Sequence, residues 1–308
     1  MESADYGMSI FSLCRGRSIK LRKSIIVTGA SSGIGKATVI KFVESGYQVF
    51  GLARSYNKLA LSLANSSSGT SSRDIGLYIP IEFDITKPKL FDYIISKITS
   101  ETKENTIYGL VNNAGYVEPG SIEDITMNDL RNQFETNFFG LVDFTKKVLP
   151  LMLQRREIGG RIVNVSSLAG LISLPLIGAY SASKHALEAI SDALRMELWN
   201  TNIKVITINP GVIQTSIYET LRQKINDIRN RDNASRFIPA YNKYFAKSDL
   251  KGLKSTVVAN IIHSAIALQN PKDRYIIGSR KEKFVVKLRP FIHDRLFYSL
   301  VAKRLHSK

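Results

Sequence analysis

The chain has 308 residues, 44% of them hydrophobic and 22% charged, which is ordinary for a folded domain and long enough for a sizeable core. No stretch approaches the ~18 uninterrupted apolar residues of a membrane-spanning helix, and a single cysteine, Cys14, with four scattered histidines excludes a disulfide scaffold and a structural zinc site. The net charge of +17 would suit a nucleic acid, but +3 of it falls on residues 1–23 and +8 on 272–308, so a compact body with basic ends is expected, without a nucleic-acid partner.

Residues 1–23 read as a basic N-terminal extension. Glu2 and Asp5 precede its short apolar stretch and the basic residues follow, the reverse of a secretory signal, so a cytoplasmic protein is expected. The first strand, Ser24–Thr28, runs straight into a turn, Thr28 to Gly35, and then into a helix over 34–45. Glycines at 29, 33 and 35 let backbone N–H groups approach an anion at the helix N-terminus. Ordinary strand-to-helix connections can also carry glycines, but between a predicted strand and a predicted helix this one reads as a dinucleotide pyrophosphate site formed by Gly29, Ser31, Ser32, Gly33, Ile34 and Gly35.

The second strand, Gln48–Leu52, ends at Arg54, where a site for a 2′-hydroxyl would carry an acidic residue. Arg54 can instead pair with a 2′-phosphate, which favours NADP(H) over NAD(H); a solvated surface arginine is the competing reading. A helix near 55–65, a Ser/Gly-rich loop over 65–74, a strand Gly76–Phe83, a helix near 87–103 and a strand Ile107–Val111 follow. Next come a helical stretch over 126–155, a strand Gly160–Ser166, a helix over 179–200, a strand Ile203–Ile208, a helix over 254–268 and a strand Arg274–Ile277. This alternation describes an α/β, Rossmann-type fold over 24–278: one doubly wound domain with a parallel seven-stranded sheet and helices on both faces.

Ser167 follows the fifth strand, and Tyr180 and Lys184 lie at i and i+4 on one face of the next helix. An ammonium roughly 4–5 Å from a phenol would stabilise the phenolate by ~3–4 kcal/mol at an effective dielectric near 20, bringing Tyr180 toward neutral pH. Ser167 would polarise a carbonyl oxygen while Tyr180 exchanges its proton. The spacing Tyr-x-x-x-Lys occurs by chance in many chains; after a serine at a strand end and downstream of a dinucleotide turn, it points to catalysis.

Together these motifs resemble the short-chain dehydrogenase/reductase family over roughly residues 22–278, and within it the retinol and hydroxysteroid dehydrogenase-like group. The resemblance implies that Asp84 and Ile85 contact the adenine ring, and that the segment Asn112, Asn113, Ala114 and Gly115 stabilises the sheet and lines the cofactor. It implies that Tyr180 and Lys184 also touch the cofactor, and that Asn137 holds a relay water beside Ser167, Tyr180 and Lys184 as the fourth catalytic residue. Pro210, Gly211, Ile213 and Thr215 would form the nicotinamide turn. Many NADP-dependent members carry a basic residue where this chain has Ser32, so the cofactor preference rests on Arg54. No metal is implied. A homo-oligomer, dimer or tetramer, would pair through the helices at 126–155 and 179–200.

The implied reaction is hydride transfer between NADP(H) and an alcohol or carbonyl compound, with a cofactor-binding regulator or redox sensor as the alternative. Residues 216–253 read as a lid, and its Ile217, Tyr218, Leu221, Phe237, Ile238, Tyr241, Tyr244 and Phe245 either line an apolar pocket or pack the lid onto the body. Residues 279–308 form a basic amphipathic tail with positions 296, 297, 300, 301 and 305 placed on one face. Such a tail can make peripheral membrane contact or fold back over the pocket or a partner subunit; folding back is expected, because amphipathic stripes more often pack against protein.

Overall fold

The computed structural model describes residues 23–55, 75–102, 107–154, 158–215, 217–230, 235–245 and 252–306. Seven parallel strands form one sheet: β1 (Ser24–Thr28), β2 (Gln48–Ala53), β3 (Leu77–Glu82), β4 (Ile107–Asn112), β5 (Gly160–Val165), β6 (Ile203–Pro210) and β9 (Arg274–Ile277). Their order is β3-β2-β1-β4-β5-β6-β9, so the winding reverses between β1 and β4 and opens a crevice at the carboxyl ends of those two strands.

Successive side chains of a strand point to opposite faces, and both faces are buried here. Ile25 and Val27 of β1 meet Val39 and Phe42 of α1 (Gly33–Glu44) and Val258, Ile262 and Ile266 of α8 (Ser255–Ala267). Ile26, between them in sequence, lies on the other face, with Phe91, Ile94 and Ile98 of α2 (Phe91–Thr102), Phe144 and Val148 of α4 (Gly140–Leu153) and Leu187 of α5 (Gly178–Glu197). The three-layer, single-domain architecture expected from the alternation is the observed one.

The helical stretch expected over 126–155 is three pieces: α3 (Met127–Phe134), a π-helical turn (Glu135–Phe139) and α4. β6 runs two residues past its expected end. The helix expected at 55–65 and the 1–23 extension lie, but for Ser55 and Lys23, outside the described residues.

Beyond β6 the chain forms β7 (Ile213–Gln214) and then the lid helices α6 (Ile217–Arg229) and α7 (Ile238–Phe245). β8 (Leu253–Lys254) pairs with β7, a two-residue ladder too short to leave a sequence signal. Leu176, Leu221, Ile225, Ile228 and Tyr241 make a third apolar cluster that seats the lid on the body, with Phe237 and Ile238 packed against it. After β9 come α9 (Arg280–Leu288) and α10 (Asp294–His306).

Candidate active site

The crevice between the ends of β1 and β4 is a cleft of about 1600 Å³. That exceeds the roughly 300–1,000 Å³ of a pocket for one small ligand, so there is room for a dinucleotide and a second molecule. Of the predicted cofactor residues, Gly29, Ser31, Ser32, Gly33, Ile34, Arg54, Asp84, Ile85, Ala114, Gly115, Tyr180, Lys184, Pro210, Gly211, Ile213 and Thr215 line it, as does Ser167.

Thr28, the last residue of β1, ties the two strand ends together. Its hydroxyl accepts from the Asn113 and Ala114 N–H groups, both at 3.0 Å. The Asn113 amide donates to the Thr28 and Gly29 carbonyls at 3.0 and 3.2 Å. Gly29 has a φ of +66°, and a Cβ there would lie 2.9 Å from Ala114 Cα, so only glycine lets the β1 turn close on β4. Among the described residues no side chain caps the N-terminus of α1, and its first turn holds no acidic residue, which leaves Gly33 and Ile34 at the cleft with the electropositive end of the helix. This cradle fits a pyrophosphate.

Arg54 is exposed where β2 ends. Asp84 is pushed up by burial, but bonds from the Thr86 N–H (3.0 Å) and hydroxyl (2.8 Å), with the charges of Arg54 and Lys87, outweigh this and hold it below the usual carboxylate range.

Two of the expected cofactor residues, Asn112 and Gly35, do not line the cleft. Asn112, the last residue of β4, points into the α4–α5 layer, donating to Thr145 Oγ1 and Asn164 Oδ1 at 2.8 Å each, and does not reach the cleft; Asn113, one residue on and turned the other way, does. Gly35 is buried behind the turn, where a Cβ would lie 2.6 Å from Asn113 Nδ2. Asn137, on the π turn, is fully buried and absent from the cleft wall. It braces the end of the β4 segment, accepting from Tyr116 N–H and donating to Tyr116 O, both at 3.0 Å, with Ser183 Oγ at 3.3 Å.

Ser167 has an extended backbone, and its hydroxyl accepts from Ala169 N–H at 3.1 Å and donates toward Pro210 O at 3.4 Å. Leu176, held at φ 66° in the left-handed region, sits ahead of α5, and its carbonyl accepts from Gly120 N–H at 2.8 Å. Two residues after Leu176, α5 begins and carries Tyr180 and Lys184 into the cleft. Lys184 is buried and donates to Val165 O at 2.8 Å; its Nζ is 6.0 Å from the Tyr180 ring centre. Burial lowers the Lys184 pKa to about 8, against the opposing charge of Glu188.

Burial raises the Tyr180 phenol above 10, with a smaller opposite effect from its hydrogen bond with Ser167. The expected lowering by Lys184 is therefore not what this structure has: the Lys184 amine donates to Val165 O, and desolvation of the phenol dominates. A protonated phenol beside Ser167 is a proton donor, the form that a carbonyl reduction consumes.

Behind this face, Glu188 accepts from Asn209 at 2.6 Å and from Arg274 at 2.9 Å, and Asn209 donates to Ser167 O at 3.1 Å. Glu282 of α9 is a further finding. It completes a capping box with Ser279 (2.7 and 3.2 Å), and its second oxygen accepts from Val212 N–H at 3.1 Å, which clamps the tail to the 210–215 turn. The Ser-x-x-Glu spacing was readable as a cap; the contact seventy residues away was not.

Residues of the lid and tail line the rest of the cleft. Leu221 and Phe245 line it, whereas Phe237, Ile238 and Tyr241 pack the lid onto the body, so the lid aromatics serve both expected purposes. The side chains of Ile217, Tyr218 and Tyr244 lie outside the described ones. Val285, Phe297 and Val301 of the tail line the cleft too, but the apolar positions expected on one face of the tail are divided: Phe297 is 9% exposed while Leu296 and Leu300 are 57% and 55% exposed.

The profile of the short chain dehydrogenase family matches residues 23–226. The chain is 32% identical to an NADPH-dependent 3-dehydrocapnine reductase of Ornithobacterium rhinotracheale over 91% of this chain and 96% of the relative. It is 31% identical to a 3-ketodihydrosphingosine reductase of Bacteroides thetaiotaomicron, over 90% and 98%. A solved structure of a short chain dehydrogenase/reductase from Burkholderia phymatum, in complex with NAD, superimposes with a TM-score of 0.72 at 26% identity, covering 88% of this chain and 93% of that one.

Proposed function

The chain belongs to the short chain dehydrogenase family and is an NAD(P)-dependent oxidoreductase of carbonyl and alcohol groups, and from that premise we propose that it uses NADP(H) to reduce a lipophilic ketone or aldehyde. The observation that carries the substrate class is the apolar wall that the lid and tail add beyond the catalytic face, with Leu221, Phe245, Val285, Phe297 and Val301. Two relatives named as reductases of 3-dehydrocapnine and 3-ketodihydrosphingosine support the direction of the reaction, and the NADPH dependence of the first supports the cofactor.

Gly29, Ser31, Ser32, Gly33 and Ile34 would hold the pyrophosphate, Arg54 the 2′-phosphate and the 210–215 turn the nicotinamide. The cofactor supplies the hydride that reaches the carbonyl carbon. Ser167 donates a hydrogen bond to the carbonyl oxygen, and Tyr180 passes its proton to that oxygen as negative charge develops on it. Lys184, with a pKa of about 8 and so mostly an ammonium at neutral pH, would balance the phenolate left behind. Asn137, through Tyr116, keeps the Gly115 segment in place beside Lys184. Copies of the chain would pair through the helical segments over 126–155 and 179–200, where Met127, Phe139 and Ile190 are exposed.

The test is cofactor oxidation with NADPH and with NADH over a panel of lipophilic ketones and aldehydes. Wild type is expected to prefer NADPH, Tyr180→Phe to lose roughly a hundredfold or more in kcat while still binding NADPH, and Arg54→Ala to raise KM for NADPH about tenfold while leaving NADH unchanged. NADPH that binds and is never consumed would support the regulator reading instead.

A further inference from the structure

The apolar side chains of the tail fall into two groups. On α9 and α10, Val285, Val286, Phe297 and Val301 turn to the cleft. Phe284, Leu288, Phe291, Leu296 and Leu300 of the same segment are all exposed and do not line the cleft; Phe291 is 84% exposed. Large apolar side chains clustered on a surface mark a contact with something.

Charge says what. Residues 280–306 hold eight Lys and Arg against two acids, Glu282 and Asp294. Both acids are engaged, Glu282 by the Val212 and Ser279 N–H groups and Asp294 by Arg289. Lys283, Lys287, Arg295 and Lys303 of the same two helices are exposed as well. Exposed apolar groups in a segment with an excess of exposed cations match a bilayer surface with anionic headgroups, where the rings and aliphatic chains enter the interface and the cations meet phosphates.

We propose that the exposed side of α9 and α10 docks on an anionic lipid bilayer. Because other side chains of the same helices line the cleft, docking brings the substrate chamber to the phase in which a lipophilic ketone or aldehyde dissolves. The benefit to catalysis rests on the substrate reading above, whereas the docking itself does not.

The test is sedimentation of the full chain with vesicles of phosphatidylcholine alone and of phosphatidylcholine with about 30% phosphatidylglycerol, at low and high salt. Binding is expected to the anionic vesicles only, and to weaken as salt rises. Lys283→Glu with Lys287→Glu, and separately Phe284→Ser with Phe291→Ser, should each cut vesicle affinity roughly tenfold or more. Neither pair should change kcat/KM for a water-soluble ketone or NADPH, which keeps a failure of docking distinct from a failure of the reductase reading. No vesicle binding, binding equal in wild type and both double variants, or a change of oligomeric state in the serine pair would overturn the proposal, the last by giving this face to a second copy of the chain.

Discussion

Substitution of Gly211 by alanine isolates what the tail does for the turn at 210–215. A Cβ on Gly211 would lie 2.8 Å from Glu282 Cδ and 3.1 Å from Oε2, and the nearest heavy atoms it meets all belong to that carboxylate. A carboxylate on a flexible stem yields before backbone does, so Gly211→Ala should expel it and break its bonds from Val212 N–H (3.1 Å) and Ser279 N–H (2.7 Å). Hydrogen bonds to a charged acceptor contribute about 1.5–3 kcal/mol each, and the half-buried setting favours the low end, so a loss of about 2–3 kcal/mol is expected. Glu282→Ala should cost about the same. The double variant should cost no more than Glu282→Ala alone, a coupling of about 2 kcal/mol in a double-mutant cycle read from urea midpoints. The KM for NADPH should rise in parallel in all three. If Gly211→Ala costs as much without Glu282 as with it, the clash is with something else and the clamp is refuted.

Lys184 is buried with its pKa lowered from 10.5 to about 8, so the unfolded chain binds the extra proton between those values. Stability from this group is lowest below pH 8 and rises from there to about 10.5. Lys184→Met should therefore gain relative to wild type at pH 7 and lose roughly 2–3 kcal/mol of that advantage by pH 10, as read by thermal melts at both pH values. Tyr241 is fully buried; its hydroxyl donates to Asp124 Oδ2 at 2.8 Å and accepts from Ser121 N–H at 2.6 Å. Tyr241→Phe should lower stability by about 2 kcal/mol and raise KM for the carbonyl substrate more than it lowers kcat, because the lid and not the proton donor is disturbed.

The seven parallel strands and most of their boundaries were legible because they obey local rules: β-branched runs, alternation with helices, and glycines at the first turn. The same holds for Ser167, just past β5, and for Tyr180 and Lys184 on the first turns of α5, all of which line the cleft. Asn112 and Asn113 mark the limit of that reading. Adjacent residues at a strand end face opposite ways, and only the seating of β4 in the sheet assigns one to the α4–α5 layer and the other to the cleft.

The sequence by itself determined the fold class and that Ser167, Tyr180 and Lys184 meet at the cleft, since both follow from patterns shorter than one strand-and-helix unit. Tertiary structure alone decided that burial raises the Tyr180 phenol while Lys184 bonds Val165, that Asn137 bonds the backbone of Tyr116, that Glu282 reaches the 210–215 turn, and that some apolar side chains of the tail line the cleft while others stay exposed. Each of these depends on desolvation or on contacts between residues far apart in the chain, and neither is encoded in local spacing.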